Sequence, residues 1–386
     1  MKILVLAPTP FFSHRGTHIR IYEQASGLVK FNHQISILTY HLGIDPVWDN
    51  KSIRVLRIPA LFSWYKKTEA GPSWQKIFLD LFLFVKGFFY IIKNHPKIIH
   101  AHLHEGVFIG WLLQKTFFYF KIKLVADFHG SLVREMIDHD YLKNKMVRSC
   151  FSKLERFIFN LGDRAIVSSP ENVESINKLR QKNEAILVAD GIDLESYARP
   201  IDRDIVRTKY KLPQDKKIII YTGAFLANKG FAELIDLYES LVKDQLSLHF
   251  VIAGDPIEKF EEIKISEGLK NNLTVVSPLS YFDLPELLKV SDIAVEPKAI
   301  ESLQGSGKII SYMAAGLPIV CHSRSTNEFY SVGQSFSLFE QIKKLLSDPS
   351  LCVTQGKINL EKAKRFSRAE RAQEINQIYN SCYEAN

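Results

Sequence analysis

Short, almost wholly apolar runs recur along this chain, and between them apolar residues return every three or four positions. In the first half the runs fall at Lys2–Ala7, Ile35–Tyr40, Ile53–Ile58, Ile98–His102, Leu124–Phe128, Ala165–Ser168 and Ile186–Val188. In the second they fall at Ile218–Thr222, Leu248–Ala253, Leu273–Val276, Ile293–Glu296 and Pro318–Cys321. Lacking the polar alternation of a sheet with one wet face, they predict strands buried on both sides. Helical spacing is clearest at His18–Lys30, Trp74–Ile92, Lys143–Leu161, Phe231–Val242, Leu284–Val290 and Leu338–Leu346. Strands alternating with helices predict parallel sheets covered on both faces. Two such series predict two doubly wound, Rossmann-like α/β domains in tandem. Pro200, Pro213 and many charges interrupt the pattern between Asp190 and Lys217, which places the boundary there. The expected division is 1–200, 201–365 and a C-terminal surface helix, 366–386, packing back on the first domain. In doubly wound sheets ligands bind beyond the carboxyl ends of the strands, so a cleft between facing domains is the expected site.

Composition sharpens this picture in three ways. A chain of 386 residues with 46% hydrophobic and 24% charged residues is globular and too long for one ordinary core. Cys150, Cys321, Cys352 and Cys382 form no close pair, which argues against a disulfide framework or a structural zinc site. The opening Ile3–Ala7 run is too short for a secretory signal, so the chain is expected in the cytoplasm. Charge is uneven: residues 1–200 carry 27 Lys and Arg against 18 Asp and Glu, the remainder 23 against 24. A basic first half suggests an anionic partner. No zinc-finger, RRM-type or basic-arm signature points to nucleic acid. A membrane surface or a phosphate-bearing acceptor fits better, with peripheral attachment to the inner face of the membrane. Residues 74–97 are very apolar, yet Asp80 and Lys86 interrupt them, so they read as a packed helix or one resting on lipid, not a span.

Chemistry concentrates between Pro297 and Val320. After the Ile293-Ala294-Val295 run comes an acid (Glu301), then Gly305, Ser306 and Gly307, then Lys308 and a helical pattern. A strand, a glycine-rich loop and a helix start together expose N–H groups to an anion. An acid and a base beside them suit a ligand with hydroxyls and phosphate, such as a nucleotide sugar. At the end of the first run, Gly16 lets backbone approach a ligand and Thr17 reads as an N-cap, although an ordinary turn has the same pattern. The dinucleotide fingerprint is absent there. Asp127-Phe128-His129-Gly130 ends another strand, where both polar side chains are expected to face the cleft and His129 to reach a sugar hydroxyl or a leaving phosphate. His102 and His104 alternate and so are expected to share a strand face. No third ligand accompanies them, and no metal is expected. Gly223 ends the first strand of the second half, and Lys229 opens the helix after it, as a diphosphate site requires.

Taken in order, KILVLAPTP, RGTHIRIYEQASGL, IIHAHLHEG, ADFHG, VADGIDLESY, YTGAFLANKGFAELI, FVIAGD, SDIAVEP and GSGKIISYMAAGLPIVC resemble the family 4 retaining glycosyltransferases over nearly the whole chain. That resemblance implies the GT-B fold, two facing Rossmann-like domains with a ligand cleft between them. It implies transfer of a sugar from a nucleotide-sugar donor to a glycan or lipid-linked acceptor, with retention and without a bound metal or other cofactor. Lys229 would meet the donor diphosphate, with Gly16 and Thr17 against the phosphates from the other domain. His129 would lie near the transferred sugar, and Glu301 with Gly305, Ser306, Gly307 and Lys308 would bind sugar hydroxyls or phosphate. Gly223 and Ser311 complete the expected donor contacts; His129, Glu301 and Lys229 are the expected catalytic set.

Three positions depart from the family pattern. Ala224 stands where an arginine often follows the strand-end glycine, removing a cation. Ser311 stands where a glutamate usually holds the ribose hydroxyls. Glu301 lies two residues before the position of the first glutamate, which is Leu303 here. A sugar-nucleotide 2-epimerase of the same fold, or a non-catalytic sugar-nucleotide-binding subunit, are the alternatives this leaves open.

Overall fold

The structure is a computed structural model of the chain, and it describes residues 1–13, 15–46, 48, 50–60, 73–138, 141–226, 229–244, 247–298, 307–322 and 337–384. Two compact units result. The first takes in Met1–Gly191 and Arg368–Asn386, the second most of Ile192–Ser367.

The first unit is a parallel sheet of β1 (Lys2–Ala7), β2 (Gln34–Thr39), β3 (Ile53–Arg57), β4 (Ile98–His102), β5 (Lys123–Phe128), β6 (Arg164–Val167) and β7 (Ile186–Leu187). Their order is β3-β2-β1-β4-β5-β6-β7, so the winding direction reverses between β1 and β4. Helices α1 (Gly16–Leu28), α2 (Lys76–Asn94), α3 (Leu103–Thr116), α4 (Leu132–Asp138), α5 (Lys145–Phe159) and α6 (Pro170–Asn177) connect them. Right-handed crossovers put α1 on one face of the sheet and α2, α3 and α5 on the other. Every strand lies within one residue of its predicted span, because a parallel strand buried on both faces must be an apolar run.

The C-terminal helix Arg368–Glu384 packs on α1 within this unit. Its polar composition hides one narrow buried stripe. Ala372, Ile375, Ile378, Tyr379 and Cys382 recur at helical spacing and are buried. The contact is close: a Cβ built on Gly27 would lie 2.6 Å from that of Ala372. Beside it Arg368 donates to both oxygens of buried Glu23, at 2.7 and 2.8 Å.

The second unit is a parallel sheet of β8 (Lys217–Thr222), β9 (Leu248–Ala253), β10 (Leu273–Val276), β11 (Ile293–Glu296) and β12 (Ile319–Cys321), in the order β10-β9-β8-β11-β12. Its switch point falls between β8 and β11. The chain passes into this unit at Ile192, whose N–H donates to the Phe366 carbonyl at 2.9 Å. Loops after β8 and β9 meet at two glycines. A Cβ on Gly254 would sit 1.9 Å from the Gly223 carbonyl oxygen, and its φ of +157° disfavours any side chain. Among the described residues no helix is long and apolar enough to cross a membrane.

The α1 contact yields a first test. Gly27→Leu should overpack against Ala372 and lower stability by about 1–3 kcal/mol in urea unfolding, with the m-value unchanged.

Candidate active site

In the first unit, the carboxyl ends of β4 and β5 converge on one buried carboxylate. Asp127, fully buried, accepts from Arg20 Nε at 3.0 Å to Oδ2 and Nη2 at 3.0 Å to Oδ1. Gln24 Nε2 adds a third donor at 3.0 Å. Arg20 and Gln24 both come from α1, one turn apart, so the helix presents its inner face to the strand end. The rest of the guanidinium donates to the Val188 carbonyl at 2.9 Å and to Asp190 Oδ1 at 2.8 Å. Burial alone would make Asp127 a weaker acid, but Arg20, a hydrogen bond from His100 and the nearby His129 and His102 together outweigh it and hold the carboxyl well below the usual range. Arg20 answers in kind: burial opposes its charge, while Asp127 and Asp190 raise its affinity for the proton.

Three imidazoles surround this pair. His100 and His102 stack at 4.6 Å between centroids, with His102 Nδ1 at 3.4 Å and His100 Nε2 at 3.5 Å from Asp127 Oδ2. His129 Nε2 lies 3.1 Å from His102 Nδ1 and 3.8 Å from Asp127 Oδ1. Burial depresses His129 to about 4, with Arg20 adding to the effect and Asp127 opposing it. Burial, then His100, hold His102 well below its ordinary 6.5. Both rings are therefore neutral near pH 7 and share one proton across their contact. His102 Nδ1, closer to the carboxylate, is the better place for it, which leaves the His129 proton on Nδ1. His100, His102 and Asp127 also have the donor atoms of a metal site, all within 4.8 Å. A cation there would have to displace Arg20 and Gln24 from the carboxylate.

The α1 N-terminus borders this cluster. Gly16 begins the helix and is exposed, with nothing within 4 Å of a Cβ built there. Thr17 is not the N-cap: Arg15 holds that position with extended backbone and Thr17 lies in the first turn, so its N–H stays free of a side-chain cap. His18 is drawn inward instead, accepting from the Ser13 N–H at 2.9 Å and bonding Thr9 Oγ1.

In the second unit the convergence lies at the ends of β8 and β11, the switch point. Lys308, on the helix Gly307–Ala314, pairs with Glu296 Oε1 at 2.9 Å and lies 4.1 Å above the Tyr221 ring. Its Nζ is 3.4 Å from where a Gly223 Cβ would be, so Gly223 leaves the ammonium uncovered on that side. Lys229 precedes Gly230, the N-cap of the helix Phe231–Lys243. Gly230 has φ +75°, and a Cβ there would stand 2.4 Å from the Pro297 carbonyl oxygen. That approach brings the Lys229 turn against the Pro297–Lys298 segment, whose Lys298 N–H donates to Glu296 Oε1 at 3.2 Å. Ser311 is buried in the helix Gly307–Ala314, one residue before Tyr312, whose hydroxyl accepts from the Thr222 N–H at 2.8 Å.

The predicted residues thus gather in two groups. His129, Gly16 and Thr17 belong to the first unit; Gly223, Lys229, Gly307, Lys308 and Ser311 belong to the second. Glu301, Gly305 and Ser306 lie outside the described residues, as does Leu303. Besides the Thr17 N-cap, two expectations change. Asp127 does not face a cleft but is buried beneath Arg20. His104 does not share a face with His102, because β4 ends at His102 and α3 begins at Leu103 with φ +62°; His104 turns toward Phe128 and Phe159 instead. Sequence reasoning missed Arg20, Gln24, His100 and Glu296. The His100–His102 alternation within a strand was the available signal for one of them.

Two doubly wound units, each gathering polar side chains at its switch point, define a GT-B type of fold. Residues 14–196 match the family described as Glycosyltransferase Family 4, and residues 202–371 match Glycosyl transferases group 1. Together the matches take in most of the chain, and the protein belongs to the family 4 glycosyltransferases. It is 23% identical over 309 residues to the D-inositol 3-phosphate glycosyltransferase of Corynebacterium glutamicum, covering 73% of this chain and 72% of that one. Its fold is similar to sucrose-phosphate synthase from Thermosynechococcus elongatus, with TM-score 0.80, 18% identity and 100% of both chains covered. It is also similar to Anabaena HepE in complex with UDP-glucose, with TM-score 0.72, 15% identity, 99% of this chain and 100% of the other.

The buried cluster predicts its own stability profile. Asp127→Asn should cost about 3–5 kcal/mol, read by urea unfolding, because it leaves Arg20 buried without a full countercharge. His102 and His129 bind protons near pH 6.5 when unfolded and only well below it, near 4 for His129, when folded. The unfolded chain therefore holds more protons between those values, and stability falls as pH drops through that window. The urea midpoint should be flat from pH 7 to 8 and fall toward pH 5, less steeply in His129→Asn.

Proposed function

We propose that the protein transfers a hexosyl group from a nucleotide-sugar donor to a glycan or lipid-linked acceptor, with retention at the anomeric carbon. The observation that carries this reading is the second unit's switch point. There Lys229, Lys298, Lys308 and the glycine turns at Gly223 and Gly230 crowd two adjacent strand ends. Lysines and open backbone at such a place suit a diphosphate. Support also comes from the fold shared with HepE, which was solved with UDP-glucose.

In the proposed reaction the bond from the anomeric carbon to the diphosphate oxygen breaks. The acceptor oxygen bonds the same face of that carbon, and its proton passes to the departing diphosphate. Lys229 and the neighbouring lysines neutralise the leaving group, so the transfer runs without a bound metal. His129, held neutral, offers a hydrogen bond to a sugar hydroxyl without placing a second positive charge beside an oxocarbenium-like carbon. Ser311, in place of the family's glutamate, makes a shorter and uncharged contact to ribose.

A thermal-shift panel of UDP-, GDP-, ADP- and TDP-sugars tests the donor claim. At least one should raise the melting temperature of the native chain, and Lys229→Ala should abolish that rise. Loss of one charge-assisted contact of about 1.5–3 kcal/mol should lower kcat/KM by about 10- to 100-fold in the same variant, with EDTA leaving the native rate unchanged. Turnover of the nucleotide sugar to an isomer without any acceptor would instead support an epimerase.

A further inference from the structure

Helix α2 is apolar on two opposite sides. Leu79, Leu83, Gly87 and Ile91, four residues apart, are buried against the first unit. Offset by two positions, Ile77, Leu81, Val85 and Phe89 point outward, with Ile92 exposed beyond them, and Ile77, Leu81 and Phe89 are 70%, 58% and 64% exposed. A helix of a soluble domain normally turns a polar face to water, and one that is apolar all round is covered by something. Its single acid, Asp80, is turned inward, where the Tyr40 hydroxyl donates to it at 2.6 Å.

The apolar exposure continues across the same side of the sheet. Phe88 of α2 meets Phe117 at 4.9 Å, at the end of α3, and the next residues Phe118 and Tyr119 are 61% and 79% exposed. Trp111 of α3 meets Phe157 of α5 at 5.6 Å. On α5 the exposed residues Met146, Val147, Leu154 and Phe157 are interleaved with exposed Lys145, Arg148, Lys153 and Arg156. The acids of α3 and α5 do not join them: Glu155 is buried, accepting from Ser131 Oγ at 2.8 Å, and Glu105 is half-buried. Exposed lysines at 93, 115 and 121 border the aromatic residues.

We infer that the face formed by α2, the segment after α3, and α5 docks on an anionic lipid surface. Aromatic and aliphatic side chains enter the headgroup boundary while the cations around them meet lipid phosphates. The charge decides between occupants. A second copy would bring the same cations against these, whereas a bilayer of acidic lipids answers them without exception. The proposal extends the transfer reading by giving the acceptor a location, and its test contains no sugar nucleotide, so the two stand or fall separately.

The full chain is floated with vesicles of phosphatidylcholine alone and with an equal mixture of phosphatidylcholine and phosphatidylglycerol. The native protein should rise with the mixed vesicles and remain below with the neutral ones, and salt should weaken the binding. The double variants Ile77→Asp/Leu81→Asp and Lys145→Glu/Lys153→Glu should each reduce recovery about 10-fold, with native melting temperatures showing that they fold. Native protein that stays below with both vesicle types overturns the proposal, as do variants that float as the native chain does. A dimer in sedimentation equilibrium that Ile77→Asp/Leu81→Asp dissociates would give the face to a second copy instead.

Discussion

Everything in the first unit's functional end is arranged around a carboxylate that has no access to water. Asp127 is buried at the end of β5 and is ionised because Arg20 reaches it from α1 with two parallel N–H donors. Such a pair is not a reservoir of stability, since desolvating both charges offsets most of their attraction. What it supplies is position. Arg20 also grips the Val188 carbonyl and Asp190, so one guanidinium ties α1, β5 and the chain beyond β7 together. The exposed start of α1 and the His129 ring are both held by that tie. Tyr379 extends the arrangement from the C-terminal helix, its hydroxyl 2.6 Å from His100 Nδ1. That contact gives this terminal helix a place next to the chemistry as well as in the packing.

The two units treat charge differently. Around Asp127 one carboxylate faces one guanidinium, and the same burial holds His102 and His129 uncharged. In the second unit Lys229 lies at a half-buried turn, Lys298 is buried and Lys308 stands in the first turn of a helix, and Glu296 pairs with Lys308 while accepting from the Lys298 N–H. A neutral donor in one unit and ammonium groups in the other match what the proposed transfer needs: hydrogen bonding at the sugar and countercharge at the phosphate.

Sheets and winding were legible because strands covered on both faces leave no alternation to misread. Single side chains were less so. Nothing in the spacing of Arg20 and Asp127, more than a hundred positions apart, announces a bond, and Glu296 read as the last residue of an apolar strand. His104 misled because the strand ends at His102, two residues earlier than its alternation implies. The close packing of the C-terminal helix was hard to read for another reason: RAERAQEINQIYNSCYE has few large apolar residues, yet small Ala372 and Gly27 let two helices approach so closely that a narrow stripe suffices. Helix α2 was the reverse case: its apolar composition read as a packed helix or one resting on lipid, and the structure packs one side and leaves the opposite side exposed. Glu301 and the glycine-rich loop, which drew the eye first, lie outside the described residues, and the anchoring features now stand at Lys229, Glu296 and Lys308.

The claim on which this account turns is that burial beside the Arg20–Asp127 pair keeps His129 uncharged at working pH. Heteronuclear NMR of the histidine rings across a pH titration tests it directly. The account predicts that His129 keeps the nitrogen shifts of a neutral ring, with the proton on Nδ1, until the pH falls well below 6 toward its depressed value of about 4. A His129 signal that titrates near its ordinary value of 6.5, with the protein still folded, would contradict it.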